Sequence, residues 1–249
     1  MKHLPHTLAA LAVTGTLVTA GMSGGLDTAA GSTHRPAPVS ARPTAARAGF
    51  GHPRANAYFP LRPGTVTTLR GSDGGVSLRE RVVVTHRTRM IQGVRTRVVR
   101  DVLRQSDGTL RENTTDWYAG DDTGRVWYFG EATATYDASG HLESREGTWR
   151  AGVHGARAGI VMPAHPGPTD AFRQEFYAHH AEDQAWIVSR TSRVHVPLGT
   201  FTHVLRSFEW SRLEPGVMSV KLYARGVGII TEHDIAGGNE IFRVTSQHH

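Results

Sequence analysis

Hydrophobic and polar positions alternate with a period of two over most of the chain, and no stretch carries a convincing helical period. Val94, Thr96, Val98 and Arg100 interleave with Arg95, Arg97 and Val99, the spacing of a half-buried strand. Similar runs recur between Gly-, Asp-, Pro- and Ser-rich breaks at Gly71–Gly75, Gln92–Gly93, Ser106–Gly108, Gly120–Gly124 and Asp137–Gly140. They predict strands at Thr65–Arg70, Leu78–Ile91, Val94–Gln105, Thr109–Ala119, Glu131–Tyr136 and His141–Trp149. A second series covers Phe172–Tyr177, Ala185–Val196, His203–Leu213, Val217–Ala224, Gly228–Asp234 and Glu240–Thr245. Only His179–Asp183 reads as a helical turn. So many consecutive antiparallel strands curl to bury a face and protect their edges, so the expected fold is all-β: a large curled meander of barrel or half-barrel type, lipocalin-like, with little helix.

Two aromatic runs, Asp116–Ala119 and Arg125–Gly130, flank the Gly120–Gly124 loop and predict the central hairpin. Strict alternation places Arg125, Trp127, Phe129 and Glu131 on one face and Val126, Tyr128, Gly130 and Ala132 on the other. Between Ala151 and Thr169 periodicity stops among Gly and Pro, interrupted by Ile160–Val161–Met162. This predicts an irregular lid docked through Ile160 and Met162.

The N-terminus reads differently. Lys2 and His3 precede a mainly apolar run from Leu8 to Met22 and small residues through Ala30, the order of a secretory signal peptide over residues 1–30. The run is short of the roughly 20 residues a spanning helix needs. Residues 31–56, with Pro36, Pro38, Pro43 and Pro53 and a single aromatic, predict a disordered linker, leaving one domain over 57–246. The chain contains no cysteine, which excludes disulfides and a cysteine-linked lipid. The expected location is therefore secreted or extracytoplasmic.

The net charge of +6 divides unevenly, with +4 in residues 1–56 and +2 in the remainder. So balanced a domain argues against a nucleic-acid binder. Lys2 and Lys221 are the only lysines; the other cations are arginines.

Taken together, Tyr58–Gly64, Asp116–Tyr118, Val126–Glu131, Glu146–Val153, Gly159–Ala164, Arg173–Tyr177, Ala181–Asp183 and Tyr223–Gly228 resemble a family of secreted or lipid-anchored bacterial proteins of unassigned function. The resemblance implies a single exported all-β domain and transfers no activity. It departs in the first strand, where relatives carry Trp and another aromatic and this chain has Thr67 and Leu69.

Among candidate site residues, Trp117, Tyr118, Trp127, Phe129, Trp149 and Tyr177 could line a pocket for a small hydrophobic or amphipathic ligand, since flat rings supply area at low entropic cost. Carboxylates within strands raise the alternative of a hydrolase or cyclase, with Glu146 and Glu175 as the acid/base candidates. A third reading is a protein-binding or inhibitory module. His179, His180 and Asp183 are the densest potential metal ligands, but the spacing matches no closed zinc pattern. No nucleophile elbow, phosphate loop or dinucleotide fingerprint occurs, and the sequence points to no cofactor.

Overall fold

The computed structural model describes Ala45 and residues 48–249; the signal-peptide reading and most of the linker reading fall outside those residues. The strands in chain order are β1 (Val66–Asp73), β2 (Val76–Ile91), β3 (Val94–Gln105), β4 (Leu110–Gly120), β5 (Val126–Ala132), β6 (Thr135–Tyr136), β7 (Leu142–Ser144), β8 (Trp149–Arg150), β9 (Arg157–Met162), β10 (Ala171–Arg173), β11 (Glu175–Phe176), β12 (Asp183–Val196), β13 (Gly199–Ser211), β14 (Met218–Ala224), β15 (Gly228–Ala236) and β16 (Ile241–His248). No α-helix occurs among the described residues. The turns follow local chemistry: Gln92 and Gly93, both at positive φ, reverse β2 into β3 as a primed hairpin turn requires.

Every strand pairs antiparallel; the main path runs β10-β12-β13-β14-β15-β16-β1-β2-β3-β4-β5-β9-β11, with β6 pairing β4 and β7, and β8 pairing β5, beside it. The C-terminal strand β16 pairs with β1, which joins the two halves of the meander. The two ends of this path, β10 and β11, are separated in sequence only by Gln174, so the chain itself crosses from one edge to the other and the sheet closes into a barrel-like wall. Gly159 of β9 makes the crossing possible, because a Cβ there would overlap the carbonyl of Gln174.

The expected lid is thus corrected. Ile160 and Met162 lie in β9, opposite Trp127 and Val126 of β5, and form wall rather than cover. Their hydrophobic run found a strand partner, which the Gly and Pro around it concealed. The helical turn is corrected as well: Tyr177 and Ala181 form a β-bridge, with His179 at φ 65 in the tight reversal between them.

Residues 48–56, read as linker, pack on the outside of the wall. Phe50 sets its ring edge-on to Trp127 and Phe129 at 6.4 and 5.8 Å between centroids. Main-chain bonds tie the segment to the β4–β5 loop, from Arg54 N to Asp121 O at 3.0 Å and from Asp122 N to Gly49 O at 2.8 Å. Buried Asn56 completes the attachment: its Nδ2 donates to the carbonyls of Gly124 and Pro163, and its Oδ1 accepts from Tyr58 N and Phe59 N. Asn56→Ala strands these buried main-chain groups. A loss of about 2–3 kcal/mol is expected in urea unfolding with an unchanged m-value.

Candidate functional site

A β-bulge decides which side chains of the central hairpin face the barrel interior. Tyr118 pairs with Tyr128 and Asp116 with Glu131, so one residue of β4, Trp117, faces two of β5. The extra residue sits at Phe129–Gly130. Gly130 has φ 132, and a Cβ there would overlap the Trp149 carbonyl. The bulge shifts the phase of alternation, so Tyr128 and Glu131 share the inner face although strict alternation separates them. Trp127 and Phe129 point outward under Phe50. Inside, Tyr128 stacks on Tyr118 at 4.7 Å, meets Trp149 edge-on at 5.3 Å and donates its hydroxyl to Asp116 Oδ1 at 2.7 Å.

The interior holds a cavity of about 100 Å³, several times the space one water needs. Half-exposed Phe59, Leu61, Val82, Val227 and Ile229 form its rim. Its buried floor carries Asp101, Asp116, Tyr118, Gln174, Lys221 and Tyr223. The segment Phe59–Leu61 crosses the rim, with Phe59 tilted against Tyr118 at 5.1 Å.

Around this floor the wall is lined with carboxyl groups. Cross-strand pairing places Glu80 between Leu69 and Leu103, Asp101 between Val82 and Thr114, and Glu232 between Lys221 and Phe242, all buried. Glu175 and Asp183 are buried at the closure. Lys221 Nζ sits 3.2 Å from Glu209 Oε2 and 3.5 Å from Glu232 Oε1. Glu209 also accepts from Ser207 Oγ at 2.8 Å, Tyr223 Oη at 2.9 Å and Gln174 Nε2 at 3.1 Å.

This arrangement sets the charge states. Burial pushes the carboxyls of Glu80, Asp116, Glu131, Glu175 and Asp183 well above the ordinary range. Neighbouring acids add to it: Asp101 on Glu80, Glu175 on Glu131, and Asp183 on Glu175. Asp101 rises to about 6, driven by burial, with the adjacent Glu80 carboxyl and the attraction of Lys221 opposing. Glu232 rises to about 7, again through burial, with Lys221 opposing. Glu209 goes the other way. Burial would raise it, but Lys221 and the bonds from Ser207, Gln174 and Tyr223 hold it below the usual value. Burial alone would lower Lys221, yet Glu209 and Glu232 hold it well above the ordinary lysine value. The interior therefore holds the Lys221–Glu209 ion pair, two acids that titrate close to neutral pH, Asp101 and Glu232, and further carboxyls that burial biases toward the protonated form.

Of the six predicted ligand-binding aromatics, only Tyr118 lines the cavity. Trp127 and Phe129 belong to the outer layer, where Trp127 Nε1 donates to Asp121 Oδ2 at 2.9 Å. Trp149 packs behind Tyr128, Trp117 lies under the Arg89 guanidinium at 4.4 Å, and Tyr177 stacks on His180 at 4.3 Å. The acid/base candidates do not meet. Glu146 is exposed in a turn, its N–H bonded to Ser144 Oγ, whereas Glu175 is fully buried. The metal candidates separate too: His179 and His180 are exposed while Asp183 points into the wall, and no group of three or more His, Asp or Glu side chains among the described residues is placed to hold a metal ion.

Asp101, Gln174, Lys221 and Tyr223 escaped the sequence reading. Lys221 had a signal: in a chain whose other cations past Lys2 are all arginine, a lone lysine marks a place where a compact ammonium suits better than a planar guanidinium.

No family model matches the chain, and no curated protein matches it. Among solved structures, a protein described as a putative lipoprotein from Parabacteroides distasonis is similar at 11% identity and a TM-score of 0.47, over 78% of this chain and all of that one.

Proposed function

We propose that the protein is exported and binds a small amphipathic molecule inside its barrel. One observation carries the reading: the cavity runs from a half-exposed apolar rim to a buried polar floor, so one occupant meets both kinds of surface. The ligand's apolar part lies along Phe59, Leu61, Val82 and Ile229. Its polar end reaches Asp101 and Asp116. Because Lys221, Tyr223 and the Gln174 amide already donate to Glu209, the floor is richest in carboxyl oxygens, which suit a hydroxyl or amine group. Export rests on the order of the first thirty residues, basic, then apolar, then small.

The test uses N-phenyl-1-naphthylamine, a small amphipathic amine that fluoresces on leaving water. Saturable one-to-one binding is expected, and Ile229→Trp, which fills the rim at a half-exposed position, removes the saturable signal while circular dichroism stays unchanged. Absence of saturable binding, or equal binding by the folded variant, overturns the proposal.

A further inference from the structure

The near balance of acidic and basic residues conceals a separation in space. In β2, Arg79, Glu80 and Arg81 are consecutive, and strand alternation buries Glu80 while exposing both arginines. In β3, Asp101 is buried beside exposed Arg100. In these two strands the acids go inward and the neighbouring cations stay outside.

Register then aligns the cations. Arg243 of β16 lies directly opposite Arg70 of β1, Arg70 opposite Arg79 of β2, and Arg79 opposite Arg104 of β3. All four are exposed. At the 4.7–4.9 Å spacing of neighbouring strands, the row is about 15 Å long. Arg81 and Arg100 stand exposed on the same face of the neighbouring strand positions. Arg104 Nη1 donates to the Gly108 carbonyl, but among the described residues no carboxylate pairs with any guanidinium of the row. Ile241, Ser72 and Ser77 flank the row on one side and Thr68, Arg81 and Val102 on the other, with no acid among them. Like charges directly opposite each other destabilise a sheet, and four in succession without counter-charges need another reason to exist.

We propose that this arginine row is the docking surface for a linear phosphate-bearing polymer, whose successive anionic groups lie along β16, β1, β2 and β3. Guanidinium groups suit phosphate through paired hydrogen bonds. The shape of the patch selects this partner. An anionic bilayer is flat and binds best where large apolar and aromatic side chains accompany the cations, whereas this wall is convex and its flanks are mostly polar. No aromatic ring lies within the row to stack on bases, so the surface engages phosphates and not sequence.

The experiment measures binding of inorganic polyphosphate to the full domain across a salt series. The affinity is expected to fall linearly with salt on logarithmic axes. Arg70→Ser with Arg79→Ser is expected to lower that slope by about two and weaken binding by at least roughly tenfold. Arg145→Ser with Arg193→Ser, which removes the same charge from exposed positions outside the row, leaves the slope within experimental error. Absence of binding, equal losses in both double variants, or stronger binding to phosphatidylglycerol vesicles than to polyphosphate overturns the proposal. Cavity binding of the naphthylamine probe is read separately and is unaffected by either double variant.

Discussion

Replacing Lys221 by methionine is expected to cost about 3–5 kcal/mol of folding stability, a large share of the 5–15 kcal/mol a domain usually has. The side chain is 3% exposed and its ammonium lies between Glu209 and Glu232. Methionine fills similar volume, so the loss comes from charge. Without Lys221 the ionised form of Glu209 has only hydrogen bonds to offset burial, and the group must take up a proton or remain an uncompensated buried anion. The companion substitution Glu209→Gln in the same chain removes the orphaned charge and is expected to recover a substantial part of the loss. Urea midpoints of the two variants against the unmodified protein measure this. A single-variant loss under about 1 kcal/mol, or no recovery in the double variant, contradicts the electrostatic account.

Stability is expected to fall as pH rises from about 4 to 7, opposite to the usual trend for proteins whose acids are salt-bridged. Asp101 is raised to about 6 and Glu232 to about 7 in the folded chain, both by burial, while the unfolded chain releases these protons near the ordinary carboxylate values. Between the two values the folded state binds more protons than the unfolded state, so unfolding releases protons and each pH increment favours it. The stability these groups contribute is complete below the unfolded value and gone once pH passes the folded one. Each of the two is worth on the order of 3 kcal/mol across its window. Glu80, Asp116, Glu131, Glu175, Asp183 and Glu240 are raised in the same direction and steepen the decline. Glu209 opposes it: its depressed value contributes stability above the unfolded range that is lost as pH falls. Asp107, Asp121, Asp137 and His233 are depressed as well and act in the same sense as Glu209, but the raised buried acids outnumber them and leave the net slope negative. Urea midpoints between pH 4 and 8 check the sign, and a midpoint that climbs over this range refutes it. Glu80→Gln keeps the shape and deletes one ionisation, so it is expected to flatten the decline.

Both expectations come from one arrangement. A barrel interior normally buries apolar side chains, yet here acids from at least six strands converge on a floor with one buried lysine. Holding such groups desolvated lowers stability, a cost that packing alone does not account for and that the binding role proposed above would explain.

Local chemistry made the strands and turns readable in the chain. Alternation in Val94–Gln105 and the reversals at Gln92–Gly93, Ser106–Gly108 and Asp137–Gly140 need no distant partner, because side-chain period and positive φ are properties of neighbouring residues. The phase of each strand is a different matter. Arg79–Glu80–Arg81 alternates equally well with the acid inside or outside, and only the pairing of Glu80 with Leu69 and Leu103 turns it inward. Gly130 looks like any strand glycine until Trp149 passes so close that a bulge is required, and that bulge moves Glu131 to the face of Tyr128. Ile160–Met162 became wall rather than lid because β5 and β11 offered it edges. The chain alone therefore specified an all-β meander and its punctuation. Closure of the sheet decided which charges share the interior and which form a row outside, since register is set between strands far apart in sequence and a shift of one residue exchanges the two faces.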